Sequence, residues 1–201
     1  LRARPFPPEC AALYPAVIGC DEVGRGALCG PVVVAAVWFD PRAIPPALLG
    51  ALDDSKRLTR RRRETLAVGI MTAARVAFAA GSAARIDAAG IRGVTLDAMR
   101  VAVTRLGIDA PVRVDGRDAP PGLDAVAVVR GDASVPQIAA ASIVAKVARD
   151  RLMRRLAIRY PGYDWARNVG YGAPRHLAAI AGIGPCRHHR FSFAPISAAR
   201  R

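Results

Sequence analysis

The sequence predicts an α/β domain in which a mixed sheet carries helices on its faces and a helical region closes the carboxy-terminal end. Three observations predict it. Short apolar runs bounded by glycine and proline, at 17–20, 32–39, 111–114 and 125–129, have the length and β-branched content of buried strands. Segments with helical spacing lie between and after them, the longest at 95–106 and 136–159. The chain has 201 residues, 52% of them hydrophobic, which suits one core and one domain.

In order, residues 1–16 hold Pro5, Pro7, Pro8 and Pro15 and read as an irregular lead-in to a single domain at 17–201. The first strand delivers two acids, Asp21 and Glu22. Successive strand residues face opposite sides, so the two meet at one site only if the strand ends or bulges there. Alone, they read equally as a polar strand end. The Gly24-Arg25-Gly26 turn cannot be a dinucleotide fingerprint, because Pro31 and a β-branched strand follow where a helix should open. Glycines there let the backbone approach a ligand, and Arg25 suits a nucleic-acid strand.

A proline-bearing loop at 40–46 leads to a short helix at 47–52. Thr59 caps a helix beginning with Arg60 to Glu64, and 75–82 forms a third strand. Ile86 and Asp87 begin a linker. In the helix at 95–106, Leu96, Met99, Val103 and Leu106 share a face. The strand at 111–115 ends in Asp115-Gly116, which repeats the placement of Asp21, although Asp-Gly is also an ordinary turn. The buried strand at 125–129 ends in Arg130-Gly131-Asp132. Asp132 precedes a long helix opened by Pro136, where it serves either as a site acid or simply to meet the helix dipole. Asp150 is a rival to Asp132 as the fourth acid, but reads first as the ion-pair partner of a nearby arginine. The region 160–201 adds a short helix at 174–180, and the pair His188-His189 reads as surface hydrogen bonders.

The formal charge of +14 favours a polyanionic partner. No apolar run approaches the roughly 18–20 residues that cross a bilayer. The four cysteines have neither metal-knuckle nor redox spacing, and Cys20 and Cys29 read as reduced core residues. A cytoplasmic location is the expectation.

Four stretches carry a resemblance. CDEVGRGALCGPVVVAAV at 20–37 resembles the opening motif of ribonuclease HII, the type 2 ribonuclease H family. GDASVPQIAAASIVAKVARDR at 131–151 resembles the family's second long motif. DSKRL at 54–58 and the tail around Tyr171 and His188 to Phe193 are similar to shorter ones. The resemblance implies a ribonuclease H-like fold and an endonuclease acting on RNA/DNA hybrids and on single ribonucleotides within duplex DNA. The reaction it implies leaves 3′-hydroxyl and 5′-phosphate ends; a monomer with no membrane partner is the expectation.

It further implies that Asp21, Glu22, Asp115 and Asp132 are the catalytic acids. Bare acids so close would repel, and two Mg2+ or Mn2+ ions would remove the conflict. Gly24, Arg25, Gly26, Ser55, Lys56, Ser142, Lys146 and Tyr171 become substrate contacts. Two departures from the family pattern are Val169, where many members carry Lys, and Phe191, where Arg is common. The rival readings are a non-catalytic basic nucleic-acid-binding protein and a ribonuclease HIII. The latter usually carries an extra amino-terminal domain and a Lys in the glycine turn.

Overall fold

The computed structural model describes residues 6–198; the first five residues of the lead-in and the last three of the chain lie outside them. Five strands form one sheet in the order β3-β2-β1-β4-β5. They are β1 (Ile18–Val23), β2 (Val32–Trp38), β3 (Arg75–Gly81), β4 (Val112–Asp115) and β5 (Ala125–Val128). β2 runs antiparallel to both β1 and β3, whereas β1, β4 and β5 are parallel. The sheet is mixed, as expected.

Helices cover both faces. They are α1 (Pro46–Leu49), α2 (Arg60–Ala73), α3 (Ala83–Ala89), α4 (Ile91–Leu106), α5 (Pro136–Arg159), α6 (Trp165–Asn168), α7 (Pro174–Ile183) and α8 (Ala194–Ala198). The alternation along β2 divides the core. Ala35 and Val37 pack with Ala139 to Val147 of α5, while Val34 and Ala36 pack with Leu96, Met99 and Val103 of α4. The run of alanines in α5 lets its backbone lie directly on β1. A Cβ on Gly19 would collide with the backbone of Gln137 and Ile138, so glycine is required there. A third core, built on Leu28, Cys29, Met153, Tyr163, Trp165 and Ile180, joins the carboxy-terminal helices to the loop between β1 and β2.

Four expectations need correction. The lead-in contains a 3-10 helix, Pro8–Leu13, opened by its prolines. The supposed linker at Ile86-Asp87 lies within α3, which Ser82 caps by accepting the Arg85 N–H. β5 is an edge strand and not a buried one: it lies at one end of the sheet, and Val126 is 62% exposed. Finally, β1 neither ends nor bulges at its acids. It pairs with β2 in unbroken register through Val23, including Asp21 with Ala35 and Glu22 with Val34.

Candidate active site

What brings the acids together is the other edge of β1. Its parallel pairing with β4 stops at Cys20 and Val114, one residue short of Asp21 and Asp115. The two strands part there, at their carboxyl ends, which is where open α/β sheets form ligand crevices. Asp21 lies on the α5 face of the sheet, in phase with Gly19 and Val23. Glu22 lies on the opposite face, in phase with Cys20.

Asp21 is buried, and its Oδ1 accepts the Glu22 N–H at 2.7 Å. Burial pushes its carboxyl well above the usual range, and the charges of Glu22 and Asp115 push it further, against a hydrogen bond from Ser142. Glu22 is also raised, first by burial and then by Asp115, with Arg25 opposing at 3.5 Å. Asp115 Oδ1 accepts the Gly131 N–H at 2.7 Å, which ties the end of β4 to the short 3-10 helix Gly131–Ala133. Asp132, in that helix, is raised by burial, then by Asp115 and Asp54, with Lys56 opposing. All four acids therefore belong to one electrostatic cluster. Among the described residues, the single ion pair any of them makes is Glu22 with Arg25. The set is oxygen-only, buried at Asp21 and half-buried at the other three, and short of positive charge, a donor set that fits hard divalent cations such as Mg2+ and Mn2+.

The remaining residues surround that cluster. Ser55 and Ser142 are both buried, their hydroxyls 2.9 Å apart, so the DSK loop is fastened to α5 beneath Asp21. Asp53 and Asp54 cap the loop backbone by accepting the Asp54 and Lys56 N–H groups, leaving the Lys56 side chain exposed. Asp150 pairs with Lys146 at 2.8 Å, and not with a neighbouring arginine. Lys146 Nζ also lies 5.8 Å from the Tyr171 ring centre. Arg25 and Gly26 are exposed at the tip of the glycine turn, whereas Gly24 is buried with φ of 91°, where a Cβ would strike the Arg149 guanidinium.

The sequence reading missed two buried groups. Arg149 and Arg190 are completely buried, and both bond to the loop that follows β1. His189 is also buried, not a surface residue. His176 Nδ1 lies 2.8 Å from the Tyr171 carbonyl, an acceptor only, so it carries the proton. His176 Nε2 then accepts from Trp165 Nε1–H at 3.0 Å and from His189 Nε2 at 3.1 Å. His189 Nδ1 accepts the Cys186 N–H at 2.9 Å. Cys29, His176 and His189 place donor atoms within 4.8 Å of one another, yet these hydrogen bonds already occupy the imidazole lone pairs. The cluster is a hydrogen-bond network that holds the Tyr171 turn.

The family model for ribonuclease HII matches residues 18–196, a span that includes every residue of the acid cluster. The chain belongs to the ribonuclease HII family. It is accordingly a ribonuclease H, an endonuclease acting on RNA paired with DNA. The ribonuclease HII of Rhizobium leguminosarum bv. trifolii is 52% identical over 183 residues, covering 90% of this chain and 78% of that protein. That of Sinorhizobium fredii is 51% identical over 187 residues, covering 92% and 79%. Two solved structures agree in fold. Ribonuclease H2 of Pyrococcus horikoshii superimposes with a TM-score of 0.78 at 25% identity, covering 92% of this chain and 97% of that one. Ribonuclease HII of Archaeoglobus fulgidus, solved in complex with PCNA, gives 0.74 at 30% identity, covering 90% and 96%. Among the described residues, no helix is long and apolar enough to cross a membrane.

Proposed function

We propose that this ribonuclease HII family member works as a monomer in the cytoplasm. It cuts the RNA strand of RNA/DNA hybrids and also duplex DNA at a single embedded ribonucleotide, at a site made by Asp21, Glu22, Asp115 and Asp132. The observation that supports this is the gathering of those acids at the opening between β1 and β4, where Asp21, Glu22 and Asp132 are all raised by burial and by neighbouring carboxylates, beside a glycine turn that projects Arg25. Asp21, Glu22, Asp115 and Asp132 would hold two divalent ions such as Mg2+ or Mn2+, which would supply activation of a water and charge stabilisation at the phosphate. The chain's own residues do the rest. The Glu22 N–H and Ser142 hold Asp21, and the Gly131 N–H holds Asp115, so neither carboxylate swings when charge arrives. Lys56 and Lys146 take phosphate oxygens, with Ser55 and Ser142 holding the loop between them. The main chain of Gly24, Arg25 and Gly26, with the Tyr171 ring, reads the 2′-hydroxyl, the group that distinguishes RNA from DNA. No side-chain nucleophile takes part, and the products are a 3′-hydroxyl and a 5′-phosphate.

The test is cleavage of a duplex carrying one ribonucleotide, with and without Mg2+. The expected result is a single metal-dependent cut. Cleavage of long RNA tracts alone would overturn the single-ribonucleotide reading, and duplex binding without any cleavage would restore the non-catalytic alternative.

A further inference from the structure

The loop between β1 and β2, from Gly24 to Pro31, contains one isolated bridge, Cys29 with His189, and no other regular structure among its residues. Its shape comes instead from two arginines. Arg149, on α5, donates from Nε to Pro31 O at 2.9 Å, from Nη1 to Val169 O at 2.8 Å and from Nη2 to Cys29 O at 3.0 Å. Arg190, in the tail, donates from Nη1 to Arg25 O at 2.8 Å and from Nη2 to Gly24 O at 2.7 Å. Its Nε and Nη2 share Gly30 O, at 3.1 and 2.9 Å. Both side chains are 0% exposed, and neither makes an ion pair with a carboxylate among the described residues. Asp150 and Asp87 act on them only from a distance; burying a guanidinium without a carboxylate in contact is costly, and simple packing is met at less cost by apolar side chains. What two planar forks supply that apolar groups cannot is fixed direction for several main-chain carbonyls at once. The carbonyls of Gly24 and Arg25, held from below, set the peptide planes of the Gly24-Arg25-Gly26 turn. Arg149 also lies under Tyr171, 5.4 Å from the ring centre, and binds the Val169 carbonyl two residues before it. The glycine turn and the Tyr171 turn would otherwise be separate loops, since 147 positions separate Gly24 from Tyr171.

We propose that Arg149 and Arg190 are positioning residues for substrate choice: they lock the glycine turn and the Tyr171 turn into one surface that recognises a lone 2′-hydroxyl. This rests on the function proposed above. The acids Asp21, Asp115 and Asp132 touch neither arginine in the hydrogen-bond pattern, so chemistry on an RNA tract depends less on the clamp than reading of a single ribonucleotide does.

Arg190→Lys and Arg149→Lys keep the charge but lose the fork. Each is compared with the wild type for kcat and KM on a one-ribonucleotide duplex and on an all-RNA/DNA hybrid, with the thermal midpoint measured in parallel. The expected result is a fall of tenfold or more in the ratio of kcat/KM for the single ribonucleotide to that for the hybrid. An equal loss on both substrates, or no loss on either, would overturn the proposal, since a merely structural role scales both alike. Should the lysine variants fail to fold, Phe193→Leu replaces them. It removes the ring 5.1 Å from the Arg190 guanidinium while leaving every fork bond in place to loosen, and the same ratio decides. A wild type that cuts the hybrid and ignores the single ribonucleotide defeats the underlying reading and the proposal with it, and that outcome is visible before any variant is made.

Discussion

Acid should weaken this protein through His189 by an amount the structure allows to be worked out. The ring is buried in its neutral form, with Nδ1 accepting from Cys186 N–H and Nε2 facing His176. A second proton would set a donor against the Cys186 donor. Burial pushes His189 from 6.5 down to about 4, with the neighbouring histidines adding to the fall. A base whose folded pKa is depressed is protonated first in the unfolded chain. Its contribution is therefore complete above about 6.5 and is lost as the pH falls toward 4. At 1.36 kcal/mol per pKa unit the loss is about 3 kcal/mol. His176 is lowered by burial too and acts in the same direction. Asp21 and Glu22, with raised values, act in the opposite direction, because protonation in acid relieves their repulsion. The wild-type curve alone therefore mixes both signs, and the difference from His189→Gln, which keeps a donor toward His176, isolates the histidine. Urea unfolding from pH 8 to pH 4 should show wild type losing about 3 kcal/mol more than the variant over that range. Parallel curves would refute the assignment of a buried neutral His189.

Four further outcomes are expected. Asp21→Asn should abolish cleavage and, without divalent ions, raise the thermal midpoint, because one of the mutually repelling carboxylates is gone; a lowered midpoint in chelator would contradict the strained cluster. Gly19→Ala should cost about 3 kcal/mol or more by driving α5 off β1, and a normal denaturation midpoint would show that the contact yields. Val169, a β-branched residue at φ of 44°, should gain up to about 1 kcal/mol on replacement by Asn, which tolerates the left-handed region, as calorimetry would reveal. Lys56→Ala should weaken duplex binding evenly across sequences and reduce the log–log salt slope by about one, and an unchanged slope in a filter-binding titration would remove Lys56 from the phosphate contacts.

The legible parts of the chain were those whose signal is local. Thr59 was identified as a cap and accepts the Arg62 N–H; Pro136 was read as a first-turn residue and opens α5. The failures share one cause, a partner far away in sequence. Nothing near Asp87 says that it will accept the Phe191 and Ser192 N–H groups and anchor the tail to α3. The run at 125–129 is apolar enough for a central strand, and only the strand order makes it an edge. Asp150 is expected to pair with a nearby arginine, but Arg149 is committed to carbonyls over 100 positions away, and Lys146, one helical turn back, takes its place. The four acids are named through motif resemblance, and the structure replaces the expected strand end or bulge with a gap between β1 and β4.

α5 explains why these distant pieces end in register. Ser142, Lys146, Arg149 and Met153 are spaced four, three and four apart, so they form one stripe on the helix. Ser142 reaches Ser55 and Asp21; Lys146 and Arg149 lie against Tyr171; Arg149 and Met153 underlie the loop at Gly30. Ser142 and Arg149 are two turns apart, roughly 10 Å along the axis, and that interval separates the acid end of the stripe from the end that shapes the glycine and tyrosine turns. A helix buried on β1 through the missing Cβ of Gly19 cannot slide, so the interval is fixed by the fold before any substrate arrives. An insertion of one residue between Ser142 and Arg149 would rotate one end of the stripe by about 100° and should separate acid chemistry from ribonucleotide reading more completely than any point substitution.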